Sequence, residues 1–227
     1  MKTLADLKRD GWESGINQVV MADCLEAMKL IPDKSIDLIL TDPPYGIGAD
    51  IEHNKITKKA WGHGSSGLKE YSKTNWDGKI PSKEVFEEMF RISKHQIIFG
   101  GNYMTDHLPA SKCWIIWYKG KSLELPDAEL AWASFNKPIR LFYESRADAY
   151  INKTDIVKSH PTQKSVELMR WILENYSDPT DLICDPFMGS WTTARACKDL
   201  GRNFLGFELE EDYCKVGEER LRQENLF

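Results

Sequence analysis

The stretch Ser35-Ile36-Asp37-Leu38-Ile39-Leu40-Thr41 runs directly into Asp42-Pro43-Pro44-Tyr45, and this junction decides the fold. Ile36, Leu38, Ile39 and Leu40 make a nearly continuous apolar run, as a parallel strand covered on both faces requires. The run stops at an acid, two prolines and an aromatic. Neither proline can donate a ladder hydrogen bond, and the first pushes Asp42 into extended backbone. Asp42 and the Pro43 carbonyl are thereby expected at a strand's carboxyl end as two rigid acceptors. Tyr45 adds a flat face beside them. Such a set suits a planar group carrying an NH2, with two acceptors for its hydrogens and a ring to stack on. The plainer alternative is a tight turn with an anchoring tyrosine.

Composition narrows the class. The 227 residues suit one α/β domain with a sizeable core. Hydrophobic residues at 41% and charged residues at 29% are ordinary for a globular protein. No apolar run approaches the ~20 residues needed to span a bilayer, so no membrane partner is expected. The first ten residues have no apolar signal core, which points to a cytoplasmic protein. The five cysteines are scattered without a C-x-x-C pair, and the five histidines show no ligand spacing. Reduced, mostly buried thiols and no metal are expected. A net charge of −5 excludes a protein that coats nucleic acid by bulk charge.

Outward from the junction, the pattern alternates. Residues 1–16 read as a polar, loosely attached arm. Gln18–Ala22 is a short strand ended by Asp23, and Cys24–Leu30 a helix closed by Pro32 and Asp33. Ser82 is a good N-cap for a helix carrying Val85, Phe86, Met89 and Ile92. Strands follow at Gln96–Phe99 and Cys113–Tyr118. Two more, at Glu129–Phe135 and Ile139–Tyr143, are expected to pair as an antiparallel edge. Ser165–Tyr176 is an amphipathic helix. Asp181–Cys184 is a strand, Trp191–Leu200 a helix stopped by Gly201, Asn203–Phe207 a strand and Asp212–Arg222 the closing helix. This alternation means a mostly parallel sheet with helices on both faces.

Residues 46–81 differ. They carry six glycines, no apolar period, and lysines interleaved with Trp61, Tyr71 and Trp76. A loop this long in a compact domain is usually functional or disordered. Lys55, Lys58, Lys59, Trp61, Lys69, Lys73 and Trp76 suit a segment that contacts a nucleic-acid backbone. A solvated surface loop is the alternative.

A second informative stretch is Asp185-Pro186-Phe187-Met188-Gly189-Ser190. Ligands of open parallel sheets bind outside the strands' carboxyl ends. A glycine there admits close backbone approach, and the following helix offers free N–H groups to an anion. The next strand ends at Glu208, and an acid there commonly takes a ribose's hydroxyls. An adenosine-type cofactor is expected; a helix start needing one glycine for packing is the competing explanation.

With both stretches in view, the chain resembles the S-adenosylmethionine-dependent DNA amino-methyltransferases. Asp42-Pro43-Pro44-Tyr45 matches their catalytic motif. Asp185–Ser190 with Thr192 and Thr193 matches their methionine-binding motif, and His160–Lys164 the segment before it. Catalytic motif first and cofactor motif last is the permuted order of the β group. The resemblance covers most of residues 17–220 apart from the loop. It implies a Rossmann-like methyltransferase fold, with a mostly parallel seven-stranded sheet and one antiparallel edge strand. The whole chain, 1–227, would be a single domain with a DNA-contacting loop at 46–81 and a small recognition region at about 119–158.

The resemblance also implies roles. Asp42 and the Pro43 carbonyl, with Pro44 fixing the turn, would accept the target amine's hydrogens, and Tyr45 would stack on a base flipped from double-stranded DNA. Asp185, Phe187, Gly189, Ser190 and Thr192 would line the methionine end. Thr162, Gln163 and Lys164 would hold its carboxylate. Glu208 would take the ribose, with Asp23 and Cys24 near the cofactor's adenine. Asp as the first motif residue favours adenine N6 over cytosine N4 in this family. Relatives of the group often form homodimers. One position departs: the family's last glycine is Trp191 here. Either the indole crowds the cofactor, or it starts the helix with normal φ and turns into the core. The second is expected. Alternatives are cytosine N4, an RNA or protein-glutamine amine, or a nucleic-acid-binding module on a decayed methyltransferase fold.

Overall fold

The computed structural model describes residues 1–48, 77–121, 126–145 and 164–222. Its sheet is built from β1 (Lys2–Thr3), β2 (Gln18–Met21), β3 (Ile36–Thr41), β4 (Ser93–Phe99), β5 (Cys113–Tyr118), β6 (Ala128–Ala133), β7 (Arg140–Tyr143), β8 (Leu182–Asp185) and β9 (Asn203–Glu208). The order across the sheet is β1-β2-β9-β8-β3-β4-β6-β5-β7. The fold class is the expected mostly parallel α/β sheet. Two details differ: the described residues form nine strands rather than seven, and the reversed strand is not at the edge.

That strand, β6, runs antiparallel to both β4 and β5. Expected to pair with β6 as an antiparallel edge, β7 instead pairs parallel with β5, Ile115 opposite Arg140. The physical reason lies in the run Ala131-Trp132-Ala133, all buried. An edge strand leaves one row of backbone groups unpaired and is largely exposed here, as β7 is, whereas β6 is paired along both edges and buries this run.

Helices cover both faces. Leu38 and Leu40 of β3 join one core with α4 (Val166–Tyr176), α5 (Thr192–Asp199) and α6 (Glu211–Arg222). Ile39 faces the other core, with α1 (Leu4–Asp10), α2 (Cys24–Met28) and α3 (Lys83–Ile92). Each buried aliphatic side chain of β3 contributes about 1.5–3 kcal/mol.

The N-terminus is not a loose arm. β1 pairs with β2, Lys2 opposite Val20. The Thr3 N–H and hydroxyl both donate to Asp6 at 2.9 and 2.8 Å, which starts α1. Leu7 is 2% exposed. Too few apolar residues mark this stretch for its periodicity to announce a helix.

Strand order places the site. From β3 the chain moves outward to β4; from β8 it moves the other way, through α5, to β9. β3 and β8 are neighbours, so a crevice opens at their carboxyl ends.

Candidate active site

Four adjacent parallel strands deliver an acid to that crevice. In spatial order they are Asp23 after β2, Glu208 ending β9, Asp185 ending β8 and Asp42 after β3. All four line one cleft of about 500 Å³. Pro44, Lys164, Phe187, Gly189, Ser190 and Thr192 line it too, as does Cys24. The two halves of the expected site, the Asp42 turn and the Asp185–Ser190 loop, therefore share one space.

Asp185 is buried and links the halves. Its carboxylate accepts from the Thr41 hydroxyl at 2.6 Å, from Thr193 at 2.7 Å and from the Phe187 amide at 3.0 Å. Burial nonetheless pushes its pKa up to about 6. Glu208 accepts the Gly189 amide on one oxygen at 2.6 Å, and the Leu209 and Glu210 amides on the other, each at 2.8 Å. Burial outweighs these donors and raises it to about 7. Asp23 caps α2 by accepting from the Glu26 amide at 3.1 Å. Burial raises the Cys24 thiol to about 12, so it stays protonated.

At the other end, both Asp42 oxygens have partners. The Tyr45 hydroxyl donates to Oδ1 at 2.6 Å, and the Lys164 ammonium to Oδ2 at 2.5 Å. Lys164 also meets Glu129 of β6 at 3.1 Å, and Lys119 donates to Glu129 from behind. Lys164, expected at a cofactor carboxylate, is thus found against Asp42. Glu129 and Lys119 went unnoticed in the sequence, since a strand acid carries no motif. Of the expected cofactor residues, Thr162 and Gln163 lie outside the described residues. So do Lys55, Lys58, Lys59, Trp61, Lys69, Lys73 and Trp76.

The turn after Asp42 is fixed from a distance. Asp77, 1% exposed, accepts the Tyr45 amide at 2.6 Å and the Gly46 amide at 3.0 Å. Its carbonyl accepts from Gly48 at 3.2 Å. The Tyr45 ring packs on Gly100 so closely that a Cβ there would overlap it, and it stacks with Tyr103 at 5.2 Å.

Trp191 turns its indole away from the cleft into the core, where it is 3% exposed. A Cβ at Gly217 of α6 would overlap the ring. The expected normal φ is wrong: Trp191 caps α5 at φ 62, the left-handed conformation a glycine would take. Tyr213, Leu209 and Met169 also line the cleft without any motif to mark them. Among the described residues no helix is long and apolar enough to cross a membrane, and no cluster of metal-binding side chains occurs.

Comparison with known proteins agrees with this geometry. The family model described as DNA methylase, of the N6/N4 type, matches residues 116–219. The type II methyltransferase M.HinfI of Haemophilus influenzae is 26% identical over 92% of this chain and 69% of its own length. DNA adenine methyltransferase YhdJ of Escherichia coli K12 is 26% identical over 97% of this chain and 87% of its own. The crystal structure of the M1.HpyAVI–SAM complex superposes with TM-score 0.57 at 23% identity, covering 89% of this chain and 98% of that one. Residues 116–219 thus match the N6/N4 DNA methylase model, and nearly the whole chain is similar to DNA methyltransferases.

Proposed function

We propose that the protein transfers a methyl group from S-adenosylmethionine to the exocyclic N6 of adenine in double-stranded DNA. The observation that carries this reading is the single cleft joining Asp42 and Pro44 to Asp185, Gly189 and Glu208.

The cleft fits the cofactor on its own terms. Acids suit a cationic sulfonium, and Phe187, Met188 and Leu209 supply apolar wall. No side chain caps the start of α5, so its first amides can take a carboxylate. Asp185, Phe187, Gly189, Ser190 and Thr192 would hold the methionine end, Glu208 the ribose, and Asp23 and Cys24 the adenine side. When bound, the cofactor supplies an electrophilic methyl on sulfur.

An aromatic amine is a poor nucleophile because its lone pair is conjugated with the ring. Asp42 and the Pro43 carbonyl would accept its two hydrogens and draw the nitrogen toward tetrahedral geometry. Alignment and fixed charges supply most of the acceleration. A base stacking on Tyr45 would displace Tyr103, which is 46% exposed. Unstacking the base costs a few kcal/mol. Duplex contacts fall to residues 46–81 and about 119–158, and a homodimer would double that surface. The decayed-module alternative rested on Trp191 crowding the cofactor, and the indole does not line the cleft.

Duplex DNA and labelled S-adenosylmethionine test the proposal. Label is expected in DNA and, after digestion to nucleosides, in N6-methyladenine. Asp42→Ala should lower the rate by about 100-fold or more while calorimetry still detects cofactor binding. Undiminished transfer by this variant overturns the role of Asp42, and label in N4-methylcytosine overturns the choice of base.

A further inference from the structure

We propose that Lys164 is a positioning residue for the amine acceptor rather than a clamp on the cofactor's carboxylate: it keeps Asp42 ionised and aimed into the cleft, while Glu129 behind it balances the ammonium's charge. The inference rests on Asp42 being the acceptor, as argued above.

Lys164 precedes α4 and is 4% exposed. Its ammonium lies 2.5 Å from Asp42 Oδ2 and 3.1 Å from Glu129 Oε2. The rings of Phe99 and Tyr45 stand 5.2 and 5.5 Å away. A buried ammonium survives only when it is paired, and here two carboxylates and two aromatic faces do this. Burial works against the charged form, but Asp42, Tyr45 and Glu129 outweigh it and hold Lys164 well above lysine's ordinary pKa.

Asp42 needs such a neighbour. Burial pushes its carboxyl upward, and Lys164 opposes that. Protonated, Asp42 would offer an O–H and lose the acceptor that the amine requires. The groups facing it are Tyr45 from its own turn, Lys164, Glu129 from β6, and Asp185 from β8. Lys164 is the cation among them. Glu129 balances that cation, so the ammonium does not repel a sulfonium. The acceptor stays usable, because a carboxylate has about four lone-pair sites and the Asp42 side chain is 27% exposed.

Lys164→Met and Glu129→Gln in the full chain separate the two roles. Cofactor affinity is read by calorimetry, and single-turnover methylation is followed across the acid limb of its pH profile. For Lys164→Met, cofactor Kd should stay within about threefold, and the acid limb should move up by about one pH unit. Its rate should therefore fall by up to about tenfold on the acid side of the limb and hardly at all on the alkaline plateau. Glu129→Gln should move the limb the other way, since a negative neighbour of Asp42 is gone. Lys164→Arg keeps the charge and should hold the limb where the wild type has it, a comparison that survives if the methionine variant fails to fold. Carbon NMR titration of the aspartate carboxyls, with Asp42→Asn for assignment, reads the same displacement without turnover. A wild type that titrates so but methylates no DNA would fail the functional reading alone. A tenfold loss of cofactor affinity with an unmoved limb, or an equal loss at every pH, overturns this proposal.

Discussion

Trp191 sets a local conflict against a packing gain. Left-handed backbone costs a residue with a Cβ roughly 1–2 kcal/mol, while its indole fills the space against Gly217. Trp191→Gly relaxes the backbone but empties that space, and cavity terms of about 3–5 kcal/mol dominate. Net destabilisation of about 1–4 kcal/mol is expected in denaturant unfolding; a more stable variant would show that strain outweighs packing. Glu208 offers a pH test. Its pKa is raised to about 7 by burial, and ribose hydroxyls would donate to its ionised form. Cofactor affinity should therefore strengthen as pH rises through about 7 and level off above it. Glu208→Gln should bind weakly with a flat profile, which calorimetry across this range checks. That Trp191 could turn inward was legible in the sequence. Its φ was not, because nothing adjacent marks a tryptophan for left-handed backbone.

Elements were legible where local chemistry fixed them. Prolines stop β3, Ser165 caps α4 by accepting from the Leu168 amide at 3.0 Å, and acids end the strands at the crevice. Strand order was less so. Placing β6 between β4 and β5 depends on partners distant in the chain, and the run Glu129–Phe135 states only that it is extended. The pairing of Lys164 with Asp42 spans 122 residues and was hidden for the same reason. The N-terminal unit was misread because α1 has only seven residues. It is nonetheless part of the core, so Leu7→Ala should cost about 2–5 kcal/mol. Hydrogen exchange should then rise in β2 as well as in α1. Exchange confined to α1 would mean a separately fraying arm.

At the scale of the molecule, a net charge of −5 leaves the proposed duplex binding to local cations. Replacing Lys55, Lys58 and Lys59 by alanine should lower the slope of log affinity against log salt by about one for each phosphate no longer neutralised. Cofactor affinity should not change; an unaltered slope would remove these lysines from the duplex interface. The grip of Asp77 on Tyr45, Gly46 and Gly48 has a wider consequence. It ties residues 48 and 77 side by side, so whatever joins them hangs from a fixed doorway. Doubling the length of such a joined segment costs only about 0.6 kcal/mol in closure entropy. Lengthening or shortening the chain between residues 48 and 77 should therefore leave the Asp42 turn, and the transfer chemistry it serves, in place.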